Sequence, residues 1–225
     1  MTGHLSRRID MKKMSFLGCA LFSLAMTLSS MAAESNVCYN SSFDSEKGHF
    51  DGWNIDFDWT ANKHQMGNHL NASYLPEFKG KKNVLKMIVP SGYESKVETP
   101  LIPYKSGDRY KCTFDIYIDD VSMKVLFQGY NLKPGIPPSD KPQLQDMRRV
   151  YKAENSDVKG AAWKTVSVEF PMPQVSELAF SHLQKVRYLT VLMYVPGATY
   201  GAGNFYLSNL RVTKLLGPVK VKKGG

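Results

Sequence analysis

The chain is predicted to be all-β, folded as a β-sandwich, and three observations carry that prediction. From residue 36 onward apolar side chains recur with the period of strands, Gly, Pro and Asn punctuate them at moderate spacing, and helical spacing is scarce. A length of 225 residues without internal repeats suits one domain with a well-buried core. With 43% apolar and 12% aromatic residues, fibrous, low-complexity and predominantly disordered classes are excluded.

The chain opens on a different pattern. Lys12 and Lys13 precede an apolar run over 14–26, and a small, polar stretch closes it at Ala32 and Ala33. These are the three regions of a secretory signal. The run is shorter than the roughly 20 residues that span a bilayer, so no membrane span is expected after cleavage. The expected organisation is a signal peptide over 1–33, a sandwich over 34–216 and a basic disordered tail over 217–225. Met11 begins an ordinary signal by itself, which makes 1–10 an overextended start. The expected location is secreted or periplasmic.

Cleavage would remove Arg7, Arg8, Lys12, Lys13 and Asp10, taking 29 basic and 20 acidic side chains to 25 and 19, a net charge of +6. The excess gathers at Lys79, Lys81 and Lys82, at Arg148, Arg149 and Lys152, and in the tail. Solvated loops account for such clusters, and an acidic polysaccharide is the partner they would meet. No nucleic-acid motif accompanies the charge, so nucleic acid is not expected as a partner. Cys38 and Cys112 remain after cleavage, and an even pair in an oxidising compartment predicts one disulfide. His64 and His69 lie five apart, a spacing that matches no zinc site, and no metal ligands are assigned.

The strands follow in order. Over 111–118, Cys112, Phe114, Ile116 and Ile118 point one way and Thr113, Asp115 and Tyr117 the other. Over 123–130, Met123, Val125 and Phe127 oppose Lys124, Leu126, Gln128 and Tyr130, and a turn at Asp119-Asp120 is expected to pair the two strands as a hairpin. Further strands are expected over 84–89, 94–98, 164–170, 188–194 and 205–214. Only 174–183 has helical spacing. The connection 131–145, with Pro134, Pro137, Pro138 and Pro142, reads as a surface loop that either binds something or is mobile.

These segments carry a resemblance. Asn40-Ser-Ser-Phe43-Asp44 with Asp51-Gly-Trp53, the stretch Ser106 to Ile118, the strand Trp163 to Pro171 and the closing Asn204 to Val212 together resemble the galactose-binding-like jelly rolls. Among these they are most similar to the carbohydrate-binding modules attached to xylanases and glucanases. The resemblance implies a jelly-roll sandwich, Trp53 and Trp163 in the core, and a structural calcium between the first segment and the last strand. Asp44 stands where one calcium ligand is expected, but Ser208-Asn209 replaces the other carboxylate, which weakens that site. No other cofactor is expected.

Sugar recognition needs flat aromatic faces and amides, carboxylates and hydroxyls placed to pair sugar hydroxyls. The outward residues of the alternating strands supply both: Asp115, Tyr117, Gln128, Tyr130, Tyr188, Thr190 and Tyr194 are the expected ligand-binding group, on one face. Trp59, in a polar segment with Asn62, His64, Gln65 and His69, either stacks on a ligand or caps the core. No catalytic residues are assigned, because no pair of carboxylates is evidently aimed at one sugar bond. The expected function is an exported, non-catalytic binder of a polysaccharide or oligosaccharide. The alternatives are a polysaccharide-degrading lyase or hydrolase and an envelope adhesion protein, and the sequence leaves the oligomeric state open.

Overall fold

A computed structural model describes residues 35–56, 71–92, 94–196 and 202–222. Two antiparallel sheets face each other across one core. The first runs β1 (Asn54–Asp56), β4 (Ser95–Glu98), β11 (Tyr188–Val195), β7 (Ser122–Leu132), β8 (Met147–Lys159), with β5 (Ile102–Pro103) also paired to β11. The second runs β2 (Ala72–Phe78), β3 (Lys81–Val89), β12 (Gly203–Leu215), β6 (Arg109–Asp119), β9 (Lys164–Phe170). This is the all-β sandwich that the alternation predicts.

Alternation sorts each strand between core and outer face as expected. Phe114, Ile116 and Ile118 of β6, Met123, Val125 and Phe127 of β7 and Val191, Met193 and Val195 of β11 are all buried in one cluster. Each such side chain stabilises the fold by roughly 1.5–3 kcal/mol. Phe127 stacks on Phe170 across the sandwich, with ring centroids 4.9 Å apart. One end is closed by the N-terminal segment, where Phe43 lies against Trp53 at 5.0 Å. The Asn40 amide donates to the carbonyls of Gly48, His49 and Asp51, which holds that segment in its turns.

The structure corrects several expectations. Strands β6 and β7 do not form a hairpin: β6 pairs β12 and β9 in the second sheet, and β7 pairs β11 and β8 in the first. The turn at Asp119-Asp120 therefore crosses between the sheets, and the inward residues of β6 and β7 meet in one core. Trp53 is in the core, but Trp163 is not. It packs on the outer face of the second sheet beside Phe78 and Tyr117.

The helical spacing over 174–183 resolves into a short strand, β10 (Gln174–Ser176), and a helix, α1 (Glu177–Leu183), capped by the Ser176 hydroxyl accepting from the Ala179 amide. Against the disordered tail expected from 217 onward, Val219 is buried and β13 (Lys220–Lys222) pairs in parallel with β10.

The expected disulfide is also corrected. Cys38 and Cys112 are free, buried thiols. Burial pushes the Cys38 thiol up to about 12, and burial followed by the neighbouring Cys38 raises Cys112 as well. Asp44 accepts from the Glu46 amide and lies 3.8 Å from Lys47, and Asn209 donates to Asp115. Among the described residues no group of three His, Cys, Asp or Glu gathers to hold a metal, and no helix among them is long and apolar enough to cross a membrane.

Candidate functional site

The outer face of the first sheet gathers five of the expected residues. Alternation in β11 turns Leu189, Val191, Met193 and Val195 into the core and leaves Tyr188, Thr190, Leu192 and Tyr194 on the other side. In β7 the same rule presents Lys124, Leu126, Gln128 and Tyr130. The two strands are in register, with Tyr188 opposite Tyr130 and Thr190 opposite Gln128. Tyr188, Thr190, Tyr194, Gln128 and Tyr130 therefore share one face.

A buried carboxylate organises that face. Glu98 in β4 is 1% exposed, and its Oε1 accepts from the Tyr130 hydroxyl at 2.7 Å and from the Thr190 hydroxyl at 2.5 Å. Its Oε2 accepts from the Asn54 amide at 3.1 Å. Gln128 Oε1 lies 3.0 Å from the same tyrosine hydroxyl and accepts from Arg149 of β8 at 3.2 Å. Strands β1, β4, β7, β8 and β11 are thus tied together by one chain of polar contacts. Burial pushes the Tyr130 hydroxyl well above the ordinary tyrosine range, and the Glu98 charge and hydrogen bond push it further, against the pull of Arg149. Tyr130 stays a neutral donor at any physiological pH.

Towards one end of the face, Tyr194 donates to Glu94 at 2.9 Å. Burial, then the hydrogen bond and charge of Glu94, push its hydroxyl up to about 12. Tyr188 and Tyr194 are half-buried, so part of each ring meets solvent, while Arg149 is exposed.

A cleft of about 720 Å³ adjoins the network. Asp51 to Asn54 form one wall, Thr99 to Leu101 another, and Asp140 to Leu144 of the proline-rich connection a third. Asn54 belongs to both features: its amide donates to Glu98, and its Oδ1 is buried without a partner. The volume lies within the roughly 300–1,000 Å³ of small-ligand sites.

Two expected residues are elsewhere. Asp115 and Tyr117 project from β6 on the outer face of the second sheet, because β6 and β7 belong to different sheets. Asp115 accepts from Lys81 at 2.8 Å, Thr165 at 2.6 Å and Asn209 at 2.6 Å. Burial pushes its carboxyl up, but those three hydrogen bonds and the Lys81 charge outweigh burial and hold it below the usual carboxylate range. Tyr117 is buried among Phe78, Trp163 and Tyr206, beneath Lys79, whose Nζ lies 4.1 Å from its ring centroid. Trp59, His64 and His69 lie outside the described residues.

Sequence reasoning missed Glu98, Asn54 and Arg149. Glu98 closes the expected strand over 94–98, and no local pattern marks it as buried, because its partners Asn54, Tyr130 and Thr190 lie on other strands.

No protein-family model matches the chain, and no curated protein matches it. Solved structures do. The chain is similar to carbohydrate-binding modules. TmCBM61 in complex with β-1,4-galactotriose is 11% identical, with 80% of this chain and 99% of that one covered at a TM-score of 0.43. The family 11 module from Clostridium thermocellum with a β-1,3-1,4-mixed-linked tetrasaccharide is 13% identical, covering 75% and 91% at 0.39. An arabinose-bound α-L-arabinofuranosidase, MgGH51, is 13% identical, covering 80% of this chain and 26% of that one at 0.47. All three are distant, and the sandwich described here stands on its own strand pairing.

Proposed function

We propose that the protein is an exported, non-catalytic carbohydrate-binding protein whose ligand lies along the outer face of the first sheet. The observation that carries this reading is the placement of Tyr188 and Tyr194 on the same side of β11, either side of Thr190 and the Glu98 network. Six steps along the strand set the two tyrosines about 20 Å apart, a span suited to an oligosaccharide rather than one sugar. Their faces supply stacking surface. The cleft adjoins the network through Asn54, whose amide donates to Glu98.

The non-catalytic part rests on Glu98. Glycoside hydrolysis needs two carboxyl groups facing one bond, one giving and one receiving. Both oxygens of Glu98 are already taken by donors from neighbouring strands. Its chemistry is to fix Tyr130 and Thr190, not to move a proton. The exported part rests on the signal pattern over 1–33.

Affinity electrophoresis of the purified protein in gels containing neutral polysaccharides tests the reading. The Tyr188→Ala/Tyr194→Ala variant is expected to lose retardation by at least about tenfold in affinity, since each stacked ring contributes on the order of 1 kcal/mol or more. Equal retardation of variant and wild type would remove the ligand from this face. Expression of the full chain followed by N-terminal sequencing of exported product tests the location: the first residue is expected to be Ala33 or Glu34.

A further inference from the structure

A second cavity, of about 480 Å³, lies on the other sheet, and its chemistry differs from that of the first face. Its origin is a local defect in pairing. Strands β3 and β12 are in register from Gly203 opposite Val89 down to Leu207 opposite Leu85, where the pairing ends. Just beyond, Asn83 and Asn209 both take left-handed backbone conformations, with φ of 53° each, and β12 bulges between Ser208 and Arg211. A left-handed Asn turns a strand aside at low cost. The cavity is lined by both asparagines, by Lys82, Thr113 and Arg211, and by Asn36, Ser41 and Ser42 of the N-terminal segment.

The cavity combines positive charge with neutral groups that can donate. Asn36 Oδ1 is taken by the amides of Cys38 and Val212, and Asn83 Oδ1 by the Tyr74 hydroxyl. Ser41 accepts from Asn36, which leaves its own proton to give. The Asn83 amide and the hydroxyls of Ser42 and Thr113 remain as donors. Asn209 gives its amide to Asp115 and keeps one acceptor, Oδ1. Lys82 and Arg211 are exposed and neither side chain makes an ion pair among the described residues. No Asp or Glu among the described residues lines the cavity. Asp115, which accepts from the Asn209 amide, is already paired with Lys81 at 2.8 Å. Two cations with no carboxylate among the lining residues, beside neutral groups able to donate, form a site for an oxyanion.

We infer that this cavity binds the anionic group of an acidic polysaccharide, a uronate carboxylate or a sulfate ester, at a site separate from the neutral-sugar face. The polysaccharide part rests on the proposed function; the anion part rests on the cavity alone. Arg211 offers a planar fork to a carboxylate or sulfate, Lys82 a second charge, and Asn83 a side-chain amide whose oxygen is held by Tyr74.

Calorimetric titration of the purified protein with an oligogalacturonate, a heparin-derived oligosaccharide and inorganic sulfate tests the inference. At least one acidic oligosaccharide is expected to bind, more tightly than inorganic sulfate and more weakly as salt rises. The uronate and sulfate arms distinguish the two sources of the charge. Lys82→Gln/Arg211→Gln is expected to weaken that binding at least about tenfold, the effect of losing charge-assisted contacts. Lys185→Gln/Lys220→Gln, which removes two exposed charges elsewhere, is expected to leave it unchanged. In amide spectra of the wild type, the Asn83 side chain is expected to shift on binding. Binding by neither acidic oligosaccharide, equal weakening in both double variants, or shifts confined to other residues would overturn it. Loss of neutral-sugar binding with acidic binding intact would instead overturn the first face and leave this site standing.

Discussion

The hydroxyl of Tyr130 stands 2.7 Å from Glu98 Oε1, and the two residues come from strands that are not neighbours. β11 lies between β4 and β7, and Thr190 of β11 reaches the same oxygen from the middle. One carboxylate thereby fixes the outer face of three successive strands.

Removing that carboxylate is costly. In Glu98→Ala, the Tyr130 and Thr190 hydroxyls and the Asn54 amide lose their acceptor together, and unfolding in urea is expected to show a loss of about 3 kcal/mol or more. Tyr130→Phe removes one donor and keeps the ring, so its expected cost is about 1–2 kcal/mol. Equal stability of Glu98→Ala and wild type would mean that the network is not formed.

Asp115, expected in the ligand group, stands on the second sheet. Asp115→Ala leaves Lys81, Thr165 and Asn209 without their shared acceptor and is expected to destabilise the chain by about 1–3 kcal/mol. Retention on neutral polysaccharide is expected to be unchanged at a temperature where the variant is folded, because Asp115 is on the opposite sheet. Loss of retention in the folded variant would return it to the ligand site.

Alternation made the faces legible but not the partners. Reading 111–118 and 123–130 by twos assigns every inward residue of β6 and β7 correctly, since side-chain direction is a property of one strand. Which strand lies beside it is set by pairing with distant segments that alternation does not encode: β6 takes β12 and β9, and β7 takes β11 and β8. Tyr188, Thr190, Gln128, Tyr130 and Tyr194 were therefore found together, while Asp115 and Tyr117 were placed with the wrong sheet. Glu98 was not legible, because its three donors come from segments 44, 32 and 92 residues away in sequence. The cavity at Asn83 and Asn209 was hidden for a related reason: a left-handed asparagine inside a strand has no mark in hydrophobic periodicity.

The crossover between sheets can be tested at Gly203. A Cβ there would press into the Asp119 carbonyl oxygen and meet Val121 at 2.7 Å. Gly203→Ala is expected to destabilise by about 2 kcal/mol or more, because backbone rather than a flexible side chain must shift. Gly80, with nothing near its Cβ position, tests conformation instead: its φ of 79° predicts a cost of about 1 kcal/mol for Gly80→Ala.

Alkaline titration follows from the tyrosines. Burial pushes Tyr104 and Tyr110 up to about 12, burial with Glu94 does the same for Tyr194, and Tyr130 is raised as well. Unfolded tyrosines release their protons near about 10. The folded state therefore holds protons that the unfolded state gives up, so stability is full below about pH 10 and falls as pH rises towards 12. Tyrosinate absorbance is expected to show a normal group followed by a delayed group that ionises on unfolding. A single transition near about 10 with the fold retained would contradict the burial of these side chains.

The central claim is that the first sheet holds a sugar chain without cutting it. The most direct test incubates the purified protein with a panel of neutral and acidic polysaccharides and scores retained protein and released oligosaccharide in the same samples. The account predicts retention without release, with retention on neutral polymers lost in Tyr188→Ala/Tyr194→Ala. Release of oligosaccharide that scales with protein concentration would contradict it and make the protein an enzyme.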